Sequence, residues 1–118
     1  MKFLVTGGAG FIGSNLVHSL LANGHKIRVL DNFSTGRHEN LDGIESRIEI
    51  LEGDIRDFAT VAQAVLGMDV VLHLAALPSV PRSVKDPLTS HEVNITGTLN
   101  VLEASRQADV KKVVSASS

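Results

Sequence analysis

The 118-residue chain has no cysteine, no tyrosine and no tryptophan, and aromatic residues make up only 3% of it. Without cysteine, neither a disulfide framework nor a thiolate metal site is available. Without tyrosine, no phenol is present to act as a base. The formal net charge is only −2, which gives no reason to expect nucleic acid or an anionic membrane as a partner. Long apolar runs are missing too. The opening MKFLVTGGAG is soon interrupted by glycine, so it is expected to be neither a signal peptide nor a membrane span, and a cytoplasmic location is the default expectation. What is present is an ordinary soluble balance, 43% hydrophobic and 20% charged, over a length (1–118) that suits one domain at most. No internal repeat, low-complexity tract or linker breaks it.

Apolar patterning predicts five strands, at residues 2–6, 26–30, 47–51, 70–75 and 112–116. Four are short, β-branched and nearly continuous in apolar character, as in strands covered on both faces. The stretch RIEIL at 47–51 alternates instead, which suits a strand nearer a sheet edge. Three helical patterns separate the strands. In the first, Ile12, Leu16, Val17, Leu20 and Leu21 form one apolar face, and Gly24 stands where a C-terminal cap belongs. The second runs from Asp57, an N-cap, through Val61, Val65 and Leu66 to Gly67. The third opens on Asp86 and Pro87 and reaches about Ala108. Strands alternating with helices imply a parallel sheet with right-handed crossovers.

The loop after the first strand, VTGGAGFIGSNLV, carries glycines at 7, 8, 10 and 13. They parse as GxxGxxG from Gly7 or as GxGxxG from Gly8. A glycine triplet alone is weak, but this one follows a strand, opens an amphipathic helix and precedes an acidic residue, Asp31, at the end of the second strand. One glycine permits the tight turn, another lets the backbone approach a pyrophosphate, and Gly13 lets the helix pack near the sheet. The helix N-terminus offers N–H groups and positive dipole to the phosphates. The Asp31 carboxylate accepts from ribose hydroxyls and repels a 2′-phosphate, which favours NAD over NADP. Arg37 keeps the phosphate alternative open, with a solvated loop position as its plainer explanation. In EGDIRD, Asp54 is placed to accept from an adenine amino group while the Ile55 backbone meets the ring edge; a plain turn residue is the alternative for Asp54.

His73 lies within an apolar strand without a partner histidine at metal-ligand spacing, so a satisfied core histidine is expected there and no metal site anywhere. His18, His25, His38 and His91 read as surface residues. On the third helix, Leu88, Ile95, Leu99 and Leu102 form one stripe, while Val93, Asn94, Gly97, Val101 and Ala104 lie on roughly the opposite side. A helix apolar on two sides needs two partners, and a neighbouring helix covering part of the leucine stripe is one way to supply the second.

Together VTGGAGFIGSNLV, DNFSTG, GDIRD, HLAALPSVPRSVKDP and NITGTLNVLEA resemble the extended short-chain dehydrogenase/reductase family, within it the UDP-sugar 4-epimerases, over the whole chain. The resemblance implies a Rossmann-like, doubly wound α/β fold with five parallel strands in the order 3-2-1-4-5. It implies that Gly7, Gly10, Phe11, Ile12 and Gly13 surround the pyrophosphate of NAD, and that Asp31, Asn32, Phe33, Ser34, Thr35 and Gly36 surround the adenosine ribose. Asp54 and Ile55 would take the adenine, Leu74, Ala75 and Ala76 the central part of the cofactor, and Asn94 the nicotinamide side. Pro78 stands where many epimerases carry a lysine, a departure that points away from the best-known galactose epimerases. Ser79 and Arg82 lie in a loop that borders the sugar in the family, with a solvated loop as the alternative.

The closing SASS falls, by the same resemblance, just before the YxxxK motif of the family, with Ser118 at the position of a catalytic serine or threonine. The chain is therefore expected to be the N-terminal, NAD-binding part of a homodimeric nucleotide-sugar 4-epimerase, itself inactive. A 4,6-dehydratase, a UDP-glucuronate decarboxylase and a dinucleotide-sensing module without chemistry are the competing readings.

Overall fold

The structure, a computed structural model, describes residues 1–34, 36–75 and 93–115, with the backbone alone for 93 and 94. Five strands, β1 (Lys2–Thr6), β2 (Lys26–Asp31), β3 (Glu49–Glu52), β4 (Val70–His73) and β5 (Lys112–Ser115), make one sheet in the order β3-β2-β1-β4-β5. Every pairing is parallel; Leu4 of β1 faces Arg28 of β2 on one side and Val71 of β4 on the other. The expected fold and strand order are thus the observed ones.

Successive side chains on a strand point to opposite faces, and both faces here are apolar. Leu4, Leu30 and Val71 pack with Val61 and Ala64 of α2 (Phe58–Ala64), with Val65 just past its end, and with Val101 and Ala104 of α3 (Thr98–Gln107). Val5 and Val29 pack on the other face with Val17 of α1 (Phe11–Ala22), Leu41 and Ile44. Each fully buried leucine or valine contributes about 1.5–3 kcal/mol.

The ends of the helices follow from local chemistry. Asp57 caps α2 as expected, its side chain accepting from the Ala59 N–H at 3.1 Å and the Thr60 hydroxyl at 3.0 Å. Arg28 reaches from β2 to donate to the Ala64 and Leu66 carbonyls at 2.8 and 2.9 Å, satisfying the other end of that helix. Gly24 has φ +86° and closes α1: its N–H donates to Leu21 O at 3.1 Å and the His25 N–H to Leu20 O at 3.2 Å.

Several expectations need correction. The first helix does not bury Ile12 or Leu16, which are 58% and 37% exposed; the sheet side holds Gly13, Ser14 and Val17. The close approach of this helix to the sheet admits only small residues at its start. The third strand begins at Glu49, because 45–47 turn as a 3-10 helix, and it does lie at a sheet edge. The fourth strand stops at His73 and α2 at Ala64, both short of the expected ends. β5 is the opposite edge, and Val114 is 42% exposed, so it is not covered on both faces. His25 is half-buried, edge-on to the Phe3 ring at 4.9 Å.

In the third helix a π turn (Val93–Gly97) leads into α3. Gly97, Val101 and Ala104 are buried, whereas Ile95, Leu99 and Leu102 are about half exposed or more. The two-sided reading holds for these residues; Asp86, Pro87, Leu88 and His91, and the side chains of Val93 and Asn94, lie outside the described part. Among the described residues, no helix is long and apolar enough to cross a membrane.

Candidate functional site

The carboxyl ends of β1, β2, β3 and β4 lie along the same edge of the parallel sheet. Gly7 has φ +72°, and a Cβ there would sit 2.9 Å from Ala75 N beyond β4. A Cβ on Gly13 would run into the Gly7 carbonyl oxygen. Glycine at these two points lets the loop fold back on α1 while touching β4. Gly10 then stands at the N-cap of α1 without any side-chain cap, and the first helical bond runs from the Ser14 N–H to Gly10 O at 2.8 Å. Among the described residues no acceptor is found for the N–H groups of Phe11, Ile12 and Gly13. Three donors and the positive end of a helix dipole come together here, an arrangement that suits an anion.

Asp31, the last residue of β2, is buried, and its carboxylate holds two backbone donors: Ala9 N–H to Oδ2 at 3.0 Å and Phe33 N–H to Oδ1 at 2.8 Å. A carboxylate offers about four lone-pair sites, so acceptor capacity remains for a ligand hydroxyl. Gly36 leaves room beside it, since a Cβ there would approach Asp31 Oδ2 to 2.9 Å. Asn32 Oδ1 accepts from the Ser34 N–H at 3.0 Å. Phe33 adopts φ 57°, unusual for a side chain of its size, and its ring stacks on that of His38 at 3.8 Å. Arg37 is exposed and contacts the glycine loop through its backbone, N–H to Ala9 O at 3.0 Å. Thr35 lies outside the described residues.

After β3, Asp54 is gripped by Arg56: Nη2 lies 2.6 Å from Oδ2, and Nε lies 3.1 and 3.0 Å from the two carboxylate oxygens. That guanidinium holds the Asp54 carboxyl below its ordinary value. The Ile55 side chain is buried, its carbonyl is taken by Asn100, and no acceptor for its N–H is found among the described residues. A donor without an acceptor among the described residues thus lies next to a carboxylate acceptor.

The β4 end is organised by a residue that the sequence did not single out. Thr6 Oγ1 accepts from the N–H groups of Leu74 (3.0 Å) and Ala75 (3.2 Å), so its own proton is left for His73 Nδ1, 2.7 Å away. His73 Nε2 then carries the other proton and donates to Thr98 Oγ1 at 3.1 Å. His73 is 1% exposed and burial lowers it to about 4, so it stays neutral: the expected satisfied core histidine. Asn40, whose Nδ2 donates to Ala9 O at 2.7 Å, and Asn100 were missed as well; a polar side chain that serves a distant backbone leaves no local pattern.

These groups fit a dinucleotide in kind: donors for a pyrophosphate at α1, an acceptor for a ribose at Asp31, and a donor–acceptor pair for a base edge at Ile55 and Asp54. Leu74 and Ala75 lie beside Gly7. Ala76, Pro78, Ser79, Arg82 and Ser118, and the side chain of Asn94, fall outside the described residues.

Comparison with known proteins agrees. Residues 3–118 match the NAD dependent epimerase/dehydratase family. The chain belongs to that family. It is 49% identical over 121 residues to a UDP-glucose 4-epimerase of Mycolicibacterium smegmatis, covering 100% of this chain and 39% of that relative. Among solved structures, the Thermus thermophilus UDP-glucose 4-epimerase in complex with NAD superposes with a TM-score of 0.85 at 46% identity, covering 96% of this chain and 36% of that one. The dTDP-glucose 4,6-dehydratase DesIV of Streptomyces venezuelae, with NAD and TYD bound, gives 0.89 at 37% identity over 96% and 38%. The chain spans well under half the length of each of these three.

Proposed function

We propose that these residues form the NAD-binding part of a nucleotide-sugar 4-epimerase of the UDP-glucose type. The observation that carries the reading is the row of N–H groups at 11, 12 and 13 that find no acceptor among the described residues, set over a glycine loop beside the Asp31 carboxylate. In this reading Gly7, Gly10, Phe11, Ile12 and Gly13 hold the pyrophosphate, residues 31–36 the adenosine ribose, and Asp54 and Ile55 the adenine. Leu74, Ala75, Ala76 and Asn94 line the remainder of the cofactor, Ser79 and Arg82 border the sugar, and Ser118 supplies the catalytic hydroxyl. Bound NAD supplies a reversible hydride acceptor for C4 of the sugar. The protein acts in the cytoplasm as a homodimer that covers the Ile95, Leu99 and Leu102 stripe of each copy. The likeness to DesIV favours a 4,6-dehydratase as the second reading, since it would use the same cofactor contacts.

Calorimetric titration with NAD and NADP tests the cofactor. NAD is expected to bind more tightly, and equal binding would count against the role of Asp31. The 118 residues hold no tyrosine, so they are expected to convert no UDP-glucose by themselves, product being followed by chromatography; loss of a positioned acid–base group costs about 10²–10⁴-fold. Sedimentation at several concentrations tests the dimer: Leu99→Glu is expected to shift it toward monomer, and a chain that is monomeric throughout refutes that part.

A further inference from the structure

The turn after β3 is held from outside by α3. Within the turn, the Asp57 N–H donates to Asp54 O at 3.0 Å and the Arg56 N–H to Asp54 Oδ1 at 2.9 Å. The Ile55 side chain lies over Gly97, where a Cβ would collide with it. Three residues further on, on the same side of the helix, Asn100 reaches back. Its Nδ2 donates to Ile55 O at 2.9 Å and to Arg56 O at 3.0 Å, across 45 and 44 residues of chain. Both acceptors are carbonyl oxygens, so only the amide nitrogen can stand there and the orientation of the carboxamide is forced. Two consecutive peptide planes are thereby fixed, next to the free Ile55 N–H and the Asp54 carboxylate.

We propose that Asn100 is a positioning residue for adenine recognition: its carboxamide sets the 54–57 turn so that the Ile55 N–H and the Asp54 carboxylate stand as a matched donor and acceptor. The proposal rests on the NAD reading above. Adenine presents the complement, an acceptor at N1 beside a donor amino group. Hypoxanthine presents the reverse, a donor at N1 beside an acceptor oxygen. A turn held in register distinguishes the two bases, and a turn that is merely attached does not. Asn100 touches neither base, so its signature is a change in discrimination and not in overall binding alone.

The experiment is calorimetric titration of NAD and of nicotinamide hypoxanthine dinucleotide into the unmutated chain, Asn100→Ala and Asn100→Asp, with melting followed in parallel. The unmutated chain is expected to prefer NAD by about tenfold or more, the scale of one or two hydrogen bonds. In both variants NAD should weaken by about tenfold while the hypoxanthine analogue changes little, so that the ratio approaches one. If the variants melt earlier but keep the ratio, Asn100 is only a structural tie and the proposal fails, with the NAD reading intact. If the unmutated chain binds neither dinucleotide, the NAD reading fails and takes the proposal with it. Should the variants not fold, NMR on the unmutated chain decides. The Ile55 amide and Asn100 carboxamide signals should both shift on adding NAD and neither on adding nicotinamide mononucleotide; carboxamide signals unmoved by NAD overturn the proposal.

Discussion

In the loop after β1, shape comes from side chains that are absent: Gly7 turns at φ +72° and Gly13 lets its own helix press on the Gly7 carbonyl. In the turn after β3 and at the end of β4, shape comes from polar side chains sent in from elsewhere. Asn100 ties Ile55 and Arg56 from α3, and Thr6 ties Leu74 and Ala75 from β1 through a chain that continues to His73 and Thr98. In both regions some backbone N–H groups, at 11–13 and at Ile55, find no acceptor among the described residues. The glycine loop tolerates no added atom at its tight points, whereas the tied turns depend on links that can each be cut without a clash. The first region should therefore fail sharply and the second by degrees.

The largest effect is expected from Gly13→Ala. Its methyl group must displace backbone at Gly7, and overpacking of this kind costs about 3 kcal/mol. Urea denaturation should show that loss, and calorimetry should show NAD binding gone. A variant as stable as the unmutated chain would remove the contrast between the two regions.

His73 should give the next effect, visible as a dependence on pH. Burial lowers it from 6.5 to about 4, so the unfolded chain takes up a proton before the folded one does. The stability due to the neutral imidazole is complete above about pH 6.5 and is lost as pH falls toward 4, about 3 kcal/mol over the window. Urea midpoints at pH 7 and pH 4 measure it, and His73→Gln should flatten the slope. An unchanged slope in that variant would assign it to other groups.

Asp31→Ala should be milder in binding than Gly13→Ala, and selective. It strips the Ala9 and Phe33 N–H groups of their acceptor, and it should weaken NAD by about 1–3 kcal/mol, the scale of hydrogen bonds to a charged group. The gap between NAD and NADP should narrow in the same titrations. If NAD weakens while the gap stays, Asp31 only supports the loop.

The contrast between the regions also explains what could be read in advance. The glycine loop, Asp31 at the end of its strand, the Asp57 cap and the Gly24 stop are each encoded within a few residues, and each was found where the pattern placed it. The two sides of α3 were legible from helical periodicity over residues 95–104. Ile12 and Leu16 were misread because periodicity marks an apolar face without saying how closely the helix start approaches the sheet. Asn100, Asn40 and the second duty of Asp31 gave no signal, since an amide or carboxylate serving a distant backbone group looks like any polar surface residue.

By itself the sequence determined the alternation of strands and helices, the parallel sheet and the position of the glycine loop, because strand pattern, helix caps and glycine spacing act within a few residues of chain. Only the tertiary structure decided which donors stay free and which carboxylates are already engaged. Asp54 is gripped by Arg56, Asp31 divides its oxygens between Ala9 and Phe33, and the Ile55 carbonyl goes to Asn100 while its N–H does not. The physical reason is that hydrogen-bond satisfaction is settled between groups brought together by folding, across as many as 69 residues here.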